Sequence, residues 1–465
     1  MKTKPGDNGQ SHSGQSHSGQ SHSGQQPGAK TRPVDGPGAT SPTKTKVAAR
    51  SGSTPPRMNG ATPMPPAPSL PPLPPFPVAP ARTRARGDGG PTLPLRRGGS
   101  DKTDAHAAVA ELRQQIGDGG DAAGILVFFS PAYDREEMLS ALKEAFGSTP
   151  VFGCTTAGEI TPFGYISNGL TGISFPAADF MVHSALFEGL SQFQIANTIE
   201  RTHQLVSERH AQAQGRPGFG LLLVDGLSTR EEQLVSAIGN ALAGLPLIGG
   251  SAGDGLDFKS TIVLHEGRCV SDAAILLLIT TRRRFSVFKT EHFVPTEHKM
   301  VVTGADLETR RVFEINAEPA ALEYARLVGL SNEPLTPKIF AAHPVVVRVG
   351  GQYHVRSIQK VNPDNSLTFH CAIDEGLVLT VARGIDIVEN LHELFRRLER
   401  EIGPLDAIIG FDCVLRNLET EQRNLKAAVS DLFVAHRVTG FCTYGEQYMS
   451  MHVNQTFTGV AIGGT

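Results

Sequence analysis

The chain has no apolar run of the roughly 20 residues that a membrane-spanning helix needs; AAILLLI at 273–279 has the length of a buried strand. Its opening residues, MKTKPGDNGQ, have no apolar core of a signal peptide. Cysteine is scarce. Five of 465 residues (Cys154, Cys269, Cys371, Cys413 and Cys442) are scattered, odd in number and free of CxxC spacing, which excludes a disulfide framework and a zinc ribbon. The expected location is therefore the reduced cytoplasm, with no membrane insertion. HExxH, GxSxG, a Walker loop and the kinase motif set are all missing, so the residues carry no signature of the reactions those motifs perform.

What is present is unevenly distributed. The formal charge of −3 conceals a basic segment: residues 1–100 hold 13 Lys and Arg against 3 Asp and Glu, and 19 of the 32 prolines. The pentad SHSGQ runs three times over residues 11–25. Such a composition cannot bury enough apolar surface to offset the entropy of ordering it, so a disordered tail over 1–100 is expected. His12, His17 and His22 are better read as part of a solvated low-complexity stretch than as metal ligands, and PAPSLPPLPPFPVAP (66–80) as a polyproline-II spacer. A solubilising linker is the plainer role for the tail; a nucleic-acid partner is not expected.

From residue 101 a pattern of strand, loop, amphipathic helix, strand and Gly-rich loop recurs. GILVFFS, REEMLSALKEAFG and VFG form one copy; GLLLVDG, REEQLVSAIGNALAG and LIGGSAGDG a second; AIIGFDC, RNLETEQRNLKAAVSDLF and VTGFCTYGE a third. Continuous apolar strands alternating with helices indicate βαβ units with buried, largely parallel pairing. HPVVVRV, QYHVRSI and SLTFHCAI alternate instead, as half-buried antiparallel strands do. The expected fold class is α/β, with duplicated βαβ-type units and mixed sheets in two related halves. Domains are expected over 101–315 and 316–465, joined near a helix at 318–330.

Two segments, 153–172 and 440–459, align without a gap and share Gly153/Gly440, Thr156/Thr443, Gly158/Gly445, Glu159/Glu446, Thr171/Thr458 and Gly172/Gly459. Loops that follow parallel strands gather at the carboxyl edge of an open sheet, where ligands bind. Gly153, Thr156, Gly158, Glu159, Gly440, Thr443, Gly445 and Glu446 are accordingly the candidate ligand-binding residues, although duplication argues for shared backbone geometry before it argues for chemistry. GGSAGDG alone reads as a tight turn, and Asp225 and Asp412, at strand ends, as helix caps.

VFGCTTAGEI, within residues 124 to about 310, resembles a FIST N-terminal domain. VFEINAEPAALEYARLVGL, GFDCVLRNLETEQ and GFCTYGEQYMSMHVNQTFTG resemble the FIST C-terminal domain. TEHFVPTEHKMVVT, SLTFHCAIDEGLVL and MHVNQTFTGVAIG look like the nitric oxide sensing, NosP-like, subfamily. The resemblance implies a sensor without catalysis of its own, not an enzyme, in which haem b binds a gas ligand and which regulates a partner histidine kinase, diguanylate cyclase or phosphodiesterase. Histidine is the natural proximal ligand of such a haem. His292, beside Phe293 at the end of the expected strand FSVFKTEHF, is the first candidate for the iron, followed by His452 and His370. The alternative is a FIST module without haem that senses a small polar metabolite such as an amino acid.

Overall fold

A computed structural model describes residues 94–464 except residue 350. The SHSGQ pentads and the polyproline stretch lie outside the described residues. The first repeat unit comprises β1 (Arg96–Ser100), α1 (Ala105–Ile116), β2 (Ala122–Phe129), α2 (Arg135–Phe146), β3 (Val151–Thr155), the hairpin β4 (Glu159–Thr161) and β5 (Gly164–Ile166), and β6 (Leu170–Pro176). The second repeats that order with β7 (Phe180–Glu188), α3 (Ile195–Ala213), β8 (Gly218–Val224), α4 (Glu231–Ala241), β9 (Leu247–Ser251), the hairpin β10 (Val263–His265) and β11 (Arg268–Val270), and β12 (Ala273–Thr281).

A third unit opens with β13 (Phe285–Thr290) and is then interrupted. The insertion holds β14 (Phe293–Asp306), β15 (Arg311–Ile315), β16 (Glu318–Pro319), α5 (Ala320–Leu327), α6 (Pro337–Ala342), β17 (Val345–Val349), β18 (Gln352–Arg356), β19 (Ile358–Val361), β20 (Leu367–Phe369) and β21 (Val378–Gly384). The unit resumes with α7 (Ile387–Ile402), β22 (Leu405–Cys413), α8 (Val414–Gln422), α9 (Lys426–Ala435), β23 (Val438–Thr443), the hairpin β24 (Glu446–Tyr448) and β25 (Met451–Val453), and β26 (Phe457–Gly463). The duplication anticipated from sequence thus runs to three copies within an α/β architecture of mixed sheets.

Each unit builds four strands of one sheet in the same order: β1-β6-β2-β3, β7-β12-β8-β9 and β13-β26-β22-β23. The last two strands of each sheet are a hairpin lent by another unit. β4 pairs with β23, β10 with β3 and β24 with β9, all antiparallel, so the exchange is cyclic. Strands of three residues cannot hold a hairpin alone, and a free sheet edge supplies the missing backbone partners.

Inner faces of the three sheets meet in one core that includes Leu126, Phe128, Leu221, Ile275, Ile409 and Phe441. At its centre Phe128 lies 4.6 Å from Phe441, and Phe411 meets Phe441 edge-on at 5.6 Å. The outer faces are covered by α1 and α2, by α3 and α4, and by α7 and α9. This is the layering that continuous apolar strands and one-sided helices demand.

Three local expectations change. Residues 96–100, placed in the tail by composition, form β1 and pair with β6 from Arg96↔Ser174 to Ser100↔Leu170. RRGGS has no apolar side chain to signal burial, yet its glycines permit close packing: a Cβ on Gly98 would lie 2.8 Å from Leu112, and one on Gly99 2.9 Å from Thr161. FSVFKTEHF is not one strand, because β13 ends at Thr290 and β14 starts at Phe293, with His292 in the break. RNLETEQRNLKAAVSDLF forms two helices, interrupted at Asn424 with φ 55°. The alternating segments near 345–370 do form antiparallel strands, and the helix at 318–330, observed as α5, packs Ala320, Ala321 and Tyr324 into the insertion's own core.

Candidate functional site

Parallel strands β2 and β3 run side by side from Ile125↔Val151 to Phe129↔Thr155. Their carboxyl ends open into a cleft of about 530 Å³. One wall comes from the second unit, in the segment leading from β9 to β10. Asp254 organises it, accepting from the backbone N–H groups of Phe258 (2.8 Å), Lys259 (2.7 Å) and Ser260 (2.7 Å), and from the Tyr444 hydroxyl of the third unit. Opposite stands Arg135, the first residue of α2, whose guanidinium donates to Ser260 Oγ at 2.5 Å across the mouth. The Asp134 side chain caps that helix through the N–H groups of Glu136 and Glu137.

At the inner end lies Glu159, fully buried. Thr156 donates its hydroxyl to one carboxylate oxygen at 2.5 Å, and the Gly169 N–H donates to the other at 3.2 Å. Burial pushes the Glu159 carboxyl up to about 7, against the pull of those hydrogen bonds. Burial also raises the Tyr133 phenol, with the Glu159 charge adding to the effect. Hydroxyls, the Arg135 guanidinium, the Asp254 and Asp257 side chains and one carboxyl that ionises near neutrality form a surface suited to a small polar molecule.

The same staple is built in the third unit. Thr443 donates to Glu446, whose other oxygen accepts from Thr456 Oγ1 at 2.7 Å and Thr456 N at 3.1 Å. Burial pushes Glu446 up to about 8. In both units the Glu begins the lent hairpin and ties it to the loop ahead of the returning strand, which accounts for the repeated sequence. A carboxyl raised in the fold stabilises it below its unfolded value of about 4.5 and withdraws that contribution as pH rises through the folded value. Stability is therefore expected to fall between about pH 5 and pH 8, in step with ionisation of Glu159 and Glu446 followed by carboxyl-carbon NMR; two Glu signals titrating below pH 5 would contradict it.

The eight candidate ligand residues divide. Thr156, Gly158 and Glu159 line the cleft. Gly153 and Gly440 serve strand packing instead: a Cβ would lie 1.7 Å from the Val127 carbonyl oxygen and 1.8 Å from that of Gly410, and Gly249 repeats the arrangement 1.9 Å from Leu222. Thr443 and Glu446 are fully buried, and Gly445 is packed against His452, 2.2 Å from the position of a Cβ. Sequence reasoning missed Arg135, which resembled any surface residue opening a helix, and Asp254, inside a loop read as a plain turn.

The equivalent strand ends of the other units are filled. In the second, Arg310 of the insertion reaches Glu231 at 2.6 Å and Glu232 at 2.5 Å, and donates to the His370 carbonyl at 2.8 Å. In the third, Arg416 pairs with Asp412 at 2.8 Å, and Tyr165 donates its hydroxyl to the same carboxyl. Neither Asp225 nor Asp412 caps a helix. Asp225 accepts from Leu227 N at 3.0 Å and Asp272 N at 2.5 Å and from the Thr261 hydroxyl, while Asp412 is the Arg416 partner.

His292 is wholly buried with both ring nitrogens in use. Nε2 donates to Glu419 at 2.7 Å, and Nδ1 accepts from Arg416 at 2.8 Å. Burial lowers it to about 4, so the ring is neutral. Coordinating a haem iron would take one nitrogen from a buried carboxylate or guanidinium, and the residues around His292 do not fit that group. His370 and His452 pack together elsewhere, His452 Nε2 lying 3.4 Å from the His370 carbonyl, with Phe258 and Tyr444 rings 5.7 and 6.0 Å from the His370 ring. None of the three lines the cleft.

Comparison with known proteins supplies the wider context. Residues 124–318 match the FIST N domain and residues 320–449 the FIST C domain. An uncharacterized protein of Methanocaldococcus jannaschii is 22% identical over 395 residues, spanning 75% of each chain. A crystal structure of chorismatase aligns with 79% of this chain and 97% of its own at 9% identity and a TM-score of 0.32, a likeness too slight to bear on activity. No helix among the described residues is long and apolar enough to cross a membrane.

Proposed function

The chain belongs to the FIST-domain family, whose domains mark ligand-sensing signal-transduction modules, and from that premise we propose that it senses a small polar metabolite of amino-acid size in the cleft at the ends of β2 and β3. The observation that carries this reading is the asymmetry among three equivalent positions: buried arginines fill two, and the first opens into about 530 Å³. Arg135 faces an anionic group of the ligand, and Glu159 accepts from an amino or hydroxyl group deeper in. The wall from Asp254 to Ser260 carries the signal outward, since Phe258 packs 4.7 Å from Tyr444 and 5.7 Å from His370. The recipient is a separate signalling enzyme, a histidine kinase or a cyclic-di-GMP cyclase or phosphodiesterase.

Screening amino acids and related polar metabolites by thermal shift is expected to yield a ligand whose affinity falls about tenfold or more in Arg135→Ala and Glu159→Gln. For an ammonium-bearing ligand, affinity rises as pH increases through about 7, because that is where Glu159 becomes charged. If both variants bind the ligand as the parent does, the cleft is not its site. If instead the purified protein takes up haemin with a Soret band that His292→Ala removes, the haem reading replaces this one.

A further inference from the structure

We propose that the groove between α7 and the end of β13, on the outer helical layer of the third unit, binds a multiply charged oxyanion of the phosphoryl class. The groove holds about 440 Å³, with Thr290 and Asn390 at one end and Glu393, Arg396, Arg397 and Arg400 along the helix. Residues three and four apart share a helix face, so the spacing 393, 396, 397 and 400 places three guanidiniums and one carboxylate along one channel. Its floor includes the buried side chain of Leu394.

The three arginines are not equally occupied. Arg396 is engaged on the exposed side, bonded to Glu389 at 2.5 Å and to the His392 carbonyl at 3.1 Å. Arg397 meets Glu401 only at 3.9 Å, and Arg400 has neither a hydrogen bond nor an ion pair among the described residues. Arg310, by contrast, has three partners within 2.8 Å, and Arg416 bonds to Asp412 and His292. Thr290 and Asn390 bond to each other at 2.9 Å, so the neutral end of the groove is held in place. Guanidinium forks bind oxyanions through paired N–H donors. Two unsaturated forks beside a third already engaged match a ligand with at least two negative charges, and the groove of about 440 Å³ exceeds what one phosphate fills. Cations near a helix C-terminus also offset its dipole, which would explain Arg400 alone; it does not explain why Arg396 and Arg397 share one groove with it.

The probe is inorganic pyrophosphate, titrated calorimetrically into the full chain at constant ionic strength, with orthophosphate and sulfate for comparison. Pyrophosphate is expected to bind more tightly than either. The double variant Arg397→Ala/Arg400→Ala should weaken it about tenfold, and Glu393→Gln should tighten it about threefold by removing the one carboxylate in the channel. Arg113→Ala/Lys143→Ala, which removes the same charge from the exposed surface of the first unit, should leave binding unchanged, and unaltered melting temperatures establish that the variants fold. If the parent does not bind pyrophosphate, or the two double variants weaken it equally, the arginines are a solvated helix face or the basic N-terminal segment is responsible, and the proposal is overturned. Arg135→Ala leaves this titration untouched, so its outcome is independent of the cleft.

Discussion

Gly440→Ala is expected to cost roughly 4–5 kcal/mol or to prevent folding, although it adds a single methyl group. Strand β23 lies so close to β22 that the new Cβ would stand 1.8 Å from the Gly410 carbonyl oxygen and 2.7 Å from its carbon. That neighbour is backbone in the middle of a sheet and has no rotamer to escape into. Relief requires parting β22 from β23, which carry the parallel ladder of the third unit and the edge that receives β4. Gly153→Ala and Gly249→Ala should behave alike, since the same contact stands at 1.7 and 1.9 Å. The comparison is Gly147→Ala, at φ 59° with nothing among the described residues within 4 Å of a new Cβ, where a smaller cost of about 1–3 kcal/mol is expected from backbone strain alone. Urea denaturation of the four variants tests the ranking. Equal losses would show that interstrand clearance is not what the repeated glycine provides.

Arg416→Ala should be the most damaging loss of a charge, by roughly 3–5 kcal/mol, because it strands buried groups on two sides. Asp412 and Arg416 are both fully buried at 2.8 Å, and the same guanidinium donates to His292, which in turn donates to Glu419. Burial already pushes the Asp412 carboxyl up to about 6, opposed mainly by the Arg416 charge. Without that charge the carboxyl is driven higher. A group raised in the folded state stabilises below its unfolded value and loses that contribution as pH rises through the folded one. The deficit of Arg416→Ala is therefore expected to be smaller at pH 5 than at pH 8. Replacing Asp412 and Arg416 together by leucine should recover part of the loss, since no buried charge is then left unpaired at that position, and only part, since Tyr165 and His292 each lose a partner. Chemical denaturation at the two pH values checks the sign, and a deficit that shrinks with rising pH would contradict it.

Much of the architecture is legible in local pattern. Strand and helix alternate visibly in GILVFFS, REEMLSALKEAFG and VFG, and the match between 153–172 and 440–459 reports equivalent places in two units. The reason for that match is tertiary: the glycine clears a carbonyl of the neighbouring strand, and the Thr–Glu pair staples a hairpin that leaves for another sheet. The haem candidate shows the converse. His292 stands beside Phe293 and Val294 in the sequence and suggests an apolar pocket, whereas its ring partners, Glu419 and Arg416, lie 127 and 124 residues away. Arg135 has the opposite history, being inconspicuous at the start of an ordinary helix until Ser260, 125 residues on, is folded against it.

Apolar run length, helical spacing and turn residues were set by the sequence alone, because backbone hydrogen bonding and one-sided burial depend on residues within a few positions of one another. These fix three strand-helix-strand units and their Gly-rich loops. Which sheet edge each hairpin joins, and which of three equivalent strand ends stays open, was decided only in three dimensions. A strand of three residues has no local preference for one edge over another, and the open cleft exists because Asp254 meets Tyr444 across 190 residues while arginines from the insertion and from α8 fill the other two positions.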